Sequence, residues 1–253
     1  MKRNRLVIVA CAFLYTSCHL GESTHLPIRS GLVAWYGHRH SVEGDGVGDW
    51  NLVGGAELDP SDETRLTTTP GVDVLFNGRE GKTRDILTRT EYGDTEIHVE
   101  FMIPKGSNSG VYVMGRYEVQ ILDSYGKKSD ELKSGDCGGI YQSWDARKPK
   151  GSRGSGGKPP RVNASRAPGE WQSFDITFRA PRFDTNGNKT DNARFVKVIH
   201  NGVLIHENFE VTGPTRAATW ESPDDEKPTG PLMFQGDHGP VALRNLRVVS
   251  LEE

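Results

Sequence analysis

Phe195-Val196-Lys197-Val198-Ile199-His200-Asn201-Gly202-Val203-Leu204-Ile205-His206 is the stretch that decides the fold class. Two β-rich runs flank an Asn-Gly pair. A type I′ turn needs positive φ at both central residues, which Asn and Gly tolerate best, and its twist matches that of the strands it joins. The stretch therefore predicts an antiparallel hairpin. Working outward, residues 95–103 alternate cleanly. Ile97, Val99, Phe101 and Ile103 take one face, and Glu96, His98 and Glu100 take the other. That is the period-two pattern of a half-buried strand. Residues 110–114, 118–122, 140–143, 171–178, 231–235 and 241–249 read as further strands, separated by Gly, Pro and Asn. No segment longer than a turn or two carries a helical period. The expected fold class is all-β, a two-sheet antiparallel jelly-roll sandwich. The polar stretches 148–160 and 223–228 read as long exposed loops.

Composition agrees with this class. Of 253 residues, 34% are hydrophobic and 26% charged, which is enough apolar material for one core. The 30 glycines and 14 prolines suit many short strands and tight turns. A net charge of -3 without a long basic cluster argues against nucleic acid as a partner.

Lys2, Arg3 and Arg5 precede an apolar run over residues 6–14, followed by Thr16 and Ser17. This order predicts a secretory signal peptide over 1–17. Tyr15-Thr16-Ser17-Cys18 resembles a bacterial lipobox, so Cys18 is the expected lipid anchor and the sole route to a membrane. The protein is expected to be exported, as a periplasmic or outer-membrane-anchored lipoprotein, with plain secretion as the alternative. Residues 18–30 read as a tether and 31–253 as a single β-sandwich domain. With Cys18 lipidated, Cys137 is left as a lone thiol and no disulfide framework is implied.

Two polar clusters carry the candidate chemistry. In the first, Arg116, Glu118 and Gln120 share a strand face opposite Tyr117, Val119 and Ile121, and Asn108 and Asp123 flank them. A sandwich face lined by Arg, Glu and Gln suits a sugar groove; an ordinary wet face is the competing reading for Glu118, and a turn cap for Asp123. The second is Gln235-Gly236-Asp237-His238-Gly239-Pro240, with Arg244 and Asn245 close behind. A His between glycines, beside an Asp, is well placed to enter a cleft. His38-Arg39-His40 is a weaker metal or ligand candidate.

Asn108-Ser109-Gly110, Tyr117 through Asp123, Cys137-Gly138-Gly139-Ile140-Tyr141, Pro168-Gly169-Glu170-Trp171, His200-Asn201-Gly202-Val203 and Asp237-His238-Gly239 with Arg244-Asn245 together resemble the 3-keto-disaccharide hydrolase domain family, also described as 3-keto-glucoside 1,2-lyase/3-keto-2-hydroxy-glucal hydratase. The resemblance runs in order from about Gly71 to the C-terminus. It implies a concanavalin A-like lectin/glucanase fold and cleavage of 3-keto-glycosides, by elimination and hydration or by net hydrolysis. The substrate expected is a 3-keto-sugar or oligosaccharide. Glu118, His238 and Asp237 are the expected catalytic residues. Asn108, Arg116, Gln120, Asp123, Tyr141 and Arg244 are the expected substrate-binding residues. A divalent metal ion is allowed for, since it can polarise a C3 ketone; no ligand set is assigned and no nicotinamide is expected. The alternative is a non-catalytic, lectin-like carbohydrate-binding module with Trp144, Trp171 or Trp220 as stacking platforms.

Overall fold

The computed structural model describes residues 23–38, 46–218 and 224–251. The expected signal segment 1–17, Cys18, Arg39, His40 and Trp220 lie outside these residues. In chain order the strands are β1 (Ser23–His25), β2 (Trp35–His38), β3 (Asn51–Asp59), β4 (Asp62–Phe76), β5 (Asp85–Tyr92), β6 (Thr95–Met102), β7 (Asn108–Val113), β8 (Tyr117–Leu122) and β9 (Ser143–Trp144). They continue as β10 (Gly154–Ser155), β11 (Gln172–Arg179), β12 (Arg182–Phe183), β13 (Lys189–Asp191), β14 (Ala193–His200), β15 (Val203–Val211), β16 (Gly230–Phe234) and β17 (Ala242–Ser250). Two single-turn 3-10 helices are the only helical elements among the described residues, and neither is long enough to cross a membrane.

Two antiparallel sheets face each other. The larger runs β15-β14-β11-β6-β17-β4-β3, with β1 added on β17; the smaller runs β2-β5-β16-β7-β8. The two form an antiparallel jelly-roll sandwich. The decisive hairpin forms as its sequence predicts: Asn201 (φ 51°) and Gly202 (φ 80°) make the turn, and His200 pairs with Val203. Strand alternation builds the core. Ile97, Val99 and Phe101 of β6, Phe174 and Ile176 of β11 and Leu243 of β17 meet Val111, Val119, Ile121 and Phe234 of the smaller sheet, all buried in one cluster. Phe101 and Phe174 lie with ring centroids 4.8 Å apart, within the range of favourable aromatic contacts.

The tether expected over 18–30 is in part built into the sandwich. Ser23, Thr24 and His25 pair with Ser250, Val249 and Val248, Ile28 is buried in the core, and the Trp35 indole donates to the Pro27 carbonyl. Unpaired strand edges attract pairing partners, and this segment satisfies part of β17. The expected strand over 140–143 contracts to an Ile140–Val119 bridge and the two-residue β9, whose partner β10 lies within the expected loop 148–160. The long β3–β4 ribbon was not legible as a pair. Its Thr, Gly and charged residues are largely exposed, so no apolar alternation marks it.

Candidate functional site

β7 and β8 pair with Asn108 opposite Leu122, Gly110 opposite Gln120 and Tyr112 opposite Glu118. The period-two alternation of β8 sends Tyr117, Val119 and Ile121 into the core and Glu118 and Gln120 to the outer face of the smaller sheet. There, Asn108, Tyr112, Glu118 and Gln120 line a cleft of about 280 Å³. Loops complete its walls with Tyr141, Arg216, Gln235, Asp237 and His238. The two sequence clusters, more than a hundred residues apart, thus meet in one cleft.

Gly110 makes room for the central acid. A Cβ on it would sit 2.3 Å from Glu118 Oε1. Glu118 is almost completely enclosed, 3% exposed. Burial pushes its pKa up to about 8; the negative charge of Asp85 adds to the rise, and a hydrogen bond from Tyr112 works against it. Glu118 is therefore protonated at neutral pH. The Tyr112 hydroxyl also lies 3.3 Å from the Arg216 carbonyl, and burial holds its own pKa well above the usual tyrosine value. Asn108 Oδ1 and Gln120 Oε1 are buried acceptors with no hydrogen-bond partner. In a cleft wall, acceptors left open in this way suit the hydroxyl groups of a sugar.

The loop carrying Asp237 and His238 is held from below by groups the sequence reading missed. Asn77 is fully buried; its amide nitrogen donates to the carbonyls of Gly236 (3.1 Å) and Gly239 (2.9 Å), and its oxygen accepts from Val241 N–H (2.7 Å). The Asp85 carboxylate accepts from Gly236 N–H (2.8 Å), and Ser107 Oγ donates to the Pro240 carbonyl (2.7 Å). On this clamped loop His238 Nδ1 contacts the Asp237 carboxylate. The same Nδ1 lies 3.1 Å from the Gln235 side-chain nitrogen. In the tautomer that gives its Nδ1–H to Asp237, Nε2 is the ring nitrogen that can accept a proton. Asn77→Ala strands the Gly239 carbonyl and the Val241 N–H, while the Gly236 carbonyl keeps its bond from Thr83 N–H (3.1 Å). The substitution is expected to cost about 2–3 kcal/mol in denaturant unfolding and to lower turnover through a loosened His238.

Three residues expected at the site lie elsewhere. Arg116 precedes β8 in the turn, is 1% exposed, and packs its guanidinium 5.8 Å from the Tyr117 ring centre rather than in the cleft. Asp123 caps a turn, accepting from Gly106 N–H (2.9 Å) and Tyr125 N–H (3.3 Å). Arg244 belongs to β17 in the larger sheet, where it pairs with Glu100 (2.7 Å) and stacks 3.9 Å over Trp171. In each case the sequence order was read correctly but the strand face or end was not.

This arrangement sits within a family match that spans residues 35–249. The chain belongs to the 3-keto-alpha-glucoside-1,2-lyase-like domain family. A carbohydrate-active enzyme family is thereby shown. Among solved structures, one "putative glycosyl hydrolase" from Parabacteroides distasonis ATCC 8503 shares 27% identity at a TM-score of 0.58, over 87% of this chain and 80% of that one. A second from the same organism shares 18% identity at a TM-score of 0.55, over 90% and 94% of the two chains, and attests the fold. No curated protein matches the chain.

Within this 3-keto-alpha-glucoside-1,2-lyase-like domain, the fit to a divalent cation can be judged from the donors. Among the described residues no three His, Cys, Asp or Glu side chains gather into a metal-holding group. In the cleft the carboxyls are only those of Glu118, almost completely enclosed, and Asp237, engaged with His238. That donor set does not suit a hard cation, which favours several ionised oxygens. Of the expected platforms, Trp144 and Trp171 have arginine guanidinium groups over their rings, Arg216 at 5.2 Å and Arg244 at 3.9 Å.

Proposed function

We propose that the cleft cleaves 3-keto-glycosides by elimination and rehydration, using Glu118 as acid and the Asp237-oriented His238 as base. The observation carrying this reading is the enclosed Glu118, whose pKa burial raises to about 8, in one cleft with a His whose Nδ1 is held by Asp237. A C3 ketone acidifies the C2 proton. His238 Nε2 takes it, and the electron pair moves towards the C3 oxygen. The C1–O bond then breaks with formation of the C1=C2 bond, and Glu118 gives its proton to the departing oxygen. This leaves an imidazolium and a carboxylate. In the second half, Glu118 takes a proton from water as it adds to C1, and His238 returns its proton to C2. The sum is hydrolysis, with both groups restored. Stopping after the first half gives a lyase product. Asn108 and Gln120 are the acceptors for sugar hydroxyls. No step requires a metal, and none is routed through one.

The basic, apolar and small-residue order of 1–17 supports export of this activity, with Cys18 as a lipid attachment point. A pure binding module is the less favoured reading, because Trp144 and Trp171 already carry arginines on their faces.

Incubation with a 3-keto-glucoside and with its unoxidised parent tests the proposal. Turnover of the ketone alone is expected; turnover of neither would sink it. The acid must hold its proton, so kcat should fall as pH rises through about 8. A flat profile from pH 7 to 9 would remove Glu118 from the acid role.

A further inference from the structure

We propose that the substrate carries a carboxylate or similar anion, held at the Arg216 end of the cleft. This deepens the preceding reading and rests on it. The cleft is chemically two-ended. One wall presents the open acceptors Asn108 Oδ1 and Gln120 Oε1, suited to neutral hydroxyls. Arg216 lines the cleft from a loop, its carbonyl 3.3 Å from the Tyr112 hydroxyl, and is exposed, with no carboxylate partner among the described residues. It is placed by the structure around it. The turn Thr215–Ala218 carries Ala217 at φ 64°, Thr215 N–H donates to the Arg116 carbonyl (2.9 Å), and the guanidinium lies 5.2 Å from the Trp144 ring centre. A stacked guanidinium keeps its edge N–H groups for a planar anion.

The arm next to it has the same sign. From Trp144 to Arg161 the chain holds six cations, Arg147, Lys148, Lys150, Arg153, Lys158 and Arg161, against the single carboxylate of Asp145, in a protein of net charge -3. Arg147 is compensated by Asp145 and Asp224, and Arg161 by Glu207. Lys148 and Lys150 form no ion pair among the described residues. The arm springs from the cleft wall at Tyr141 and is tied beside Arg216 by the Ser143–Thr215 bridge and by Trp144 N–H donating to the Pro214 carbonyl (2.7 Å). A one-signed field next to a cleft draws in oppositely charged ligands.

Three substrates separate the sources of the anion: phenyl 3-keto-glucoside, which is neutral; the 3-keto-glucoside of 4-hydroxybenzoate, with the charge on the leaving group; and phenyl 3-keto-glucuronide, with the charge on the sugar. One charged substrate is expected to exceed the neutral one in kcat/KM by roughly 10-fold at low salt, a ratio that shrinks as salt screens it. In Arg216→Gln the ratio should collapse towards one. Equal kcat/KM for all three in the wild-type protein overturns this inference and leaves the catalytic reading standing. Turnover of none is the failure of the catalytic reading instead. Calorimetric binding of unoxidised phenyl glucoside, 4-carboxyphenyl glucoside and phenyl glucuronide to wild type and Arg216→Gln then judges the inference separately: no gain from either carboxylate overturns it.

Discussion

Glu118→Gln is expected to lower kcat on a 3-keto-glucoside by about 10²–10⁴-fold while making the folded protein more stable. The two effects have one cause. Glu118 is enclosed in the sheet face, and burial lifts its pKa from the ordinary carboxylate range to about 8. A carboxyl whose folded pKa is raised stabilises the fold below its unfolded pKa, and that support is lost as pH rises through the folded value. At pH 8 and above, the ionised group opposes folding by up to about 5 kcal/mol, by the linkage of pKa shift to stability. Gln is near-isosteric, never ionises and lacks the acid proton. Thermal unfolding of the two proteins should therefore diverge most at pH 8–9 and converge near pH 4.5. A Gln variant that keeps wild-type turnover removes Glu118 from catalysis, and one that gains nothing at pH 9 contradicts its burial cost. His238→Ala should lose at least about 10²-fold with little change in the unfolding curve, since its side chain is half exposed.

The second large effect is acid instability driven by two histidines away from the cleft. His200 is fully buried, with Nε2 3.0 Å from Gln172 Oε1 and its ring packed against those of Phe174 (centroids 4.8 Å) and Phe101 (6.0 Å). His206 is also fully buried, with Nε2 2.7 Å from the Gly138 carbonyl. Burial pushes their pKa values down to about 3 and about 4. Both stay neutral in the fold and take up protons when it opens. Their support is present above the unfolded value near 6.5 and is lost as pH falls towards the folded values. Between pH 6.5 and 4.5 the pair should cost about 4 kcal/mol of stability. Unfolding at pH 5 should take up about two protons from these residues, measurable by calorimetry in buffers of different ionisation enthalpy. Imidazole resonances that titrate normally in the folded protein would contradict this.

How far the sequence carried the reading depends on periodicity. β6, β11 and the β14–β15 hairpin alternate or carry a turn pair, and the structure has them nearly residue for residue. β3 and β4 form without an apolar stripe, since much of their pairing is exposed ribbon, so local pattern had nothing to mark. The cleft divides in the same way. Glu118, Gln120, Asp237 and His238 were legible because strand alternation and a Gly-flanked loop point side chains outward. Asn77, Asp85 and Tyr112 were not, since each matters through a partner distant in the chain: Asn77 lies more than 150 residues from the carbonyls it holds. Arg116 and Arg244 misled for the converse reason. Each neighbours site residues in sequence, but one turns beneath the sheet and the other belongs to the opposite sheet.

The Asn201-Gly202 turn has a consequence for chemical ageing. Asn-Gly is the dipeptide most prone to deamidation, because the unhindered glycine nitrogen can attack the asparagine side-chain carbonyl, expel ammonia and close a succinimide. Here the Asn201 amide is held at both ends: its nitrogen donates to the Ala164 carbonyl (2.8 Å), and its oxygen accepts from Ser173 N–H (2.9 Å). Cyclisation would break both bonds and move the backbone beside the buried His200. The native hairpin therefore shelters its own weakest peptide link, and the isoaspartate that follows ring opening accumulates in chains that have unfolded. The isoaspartate content at this position is thus a record of how long a stored sample has spent out of its native state.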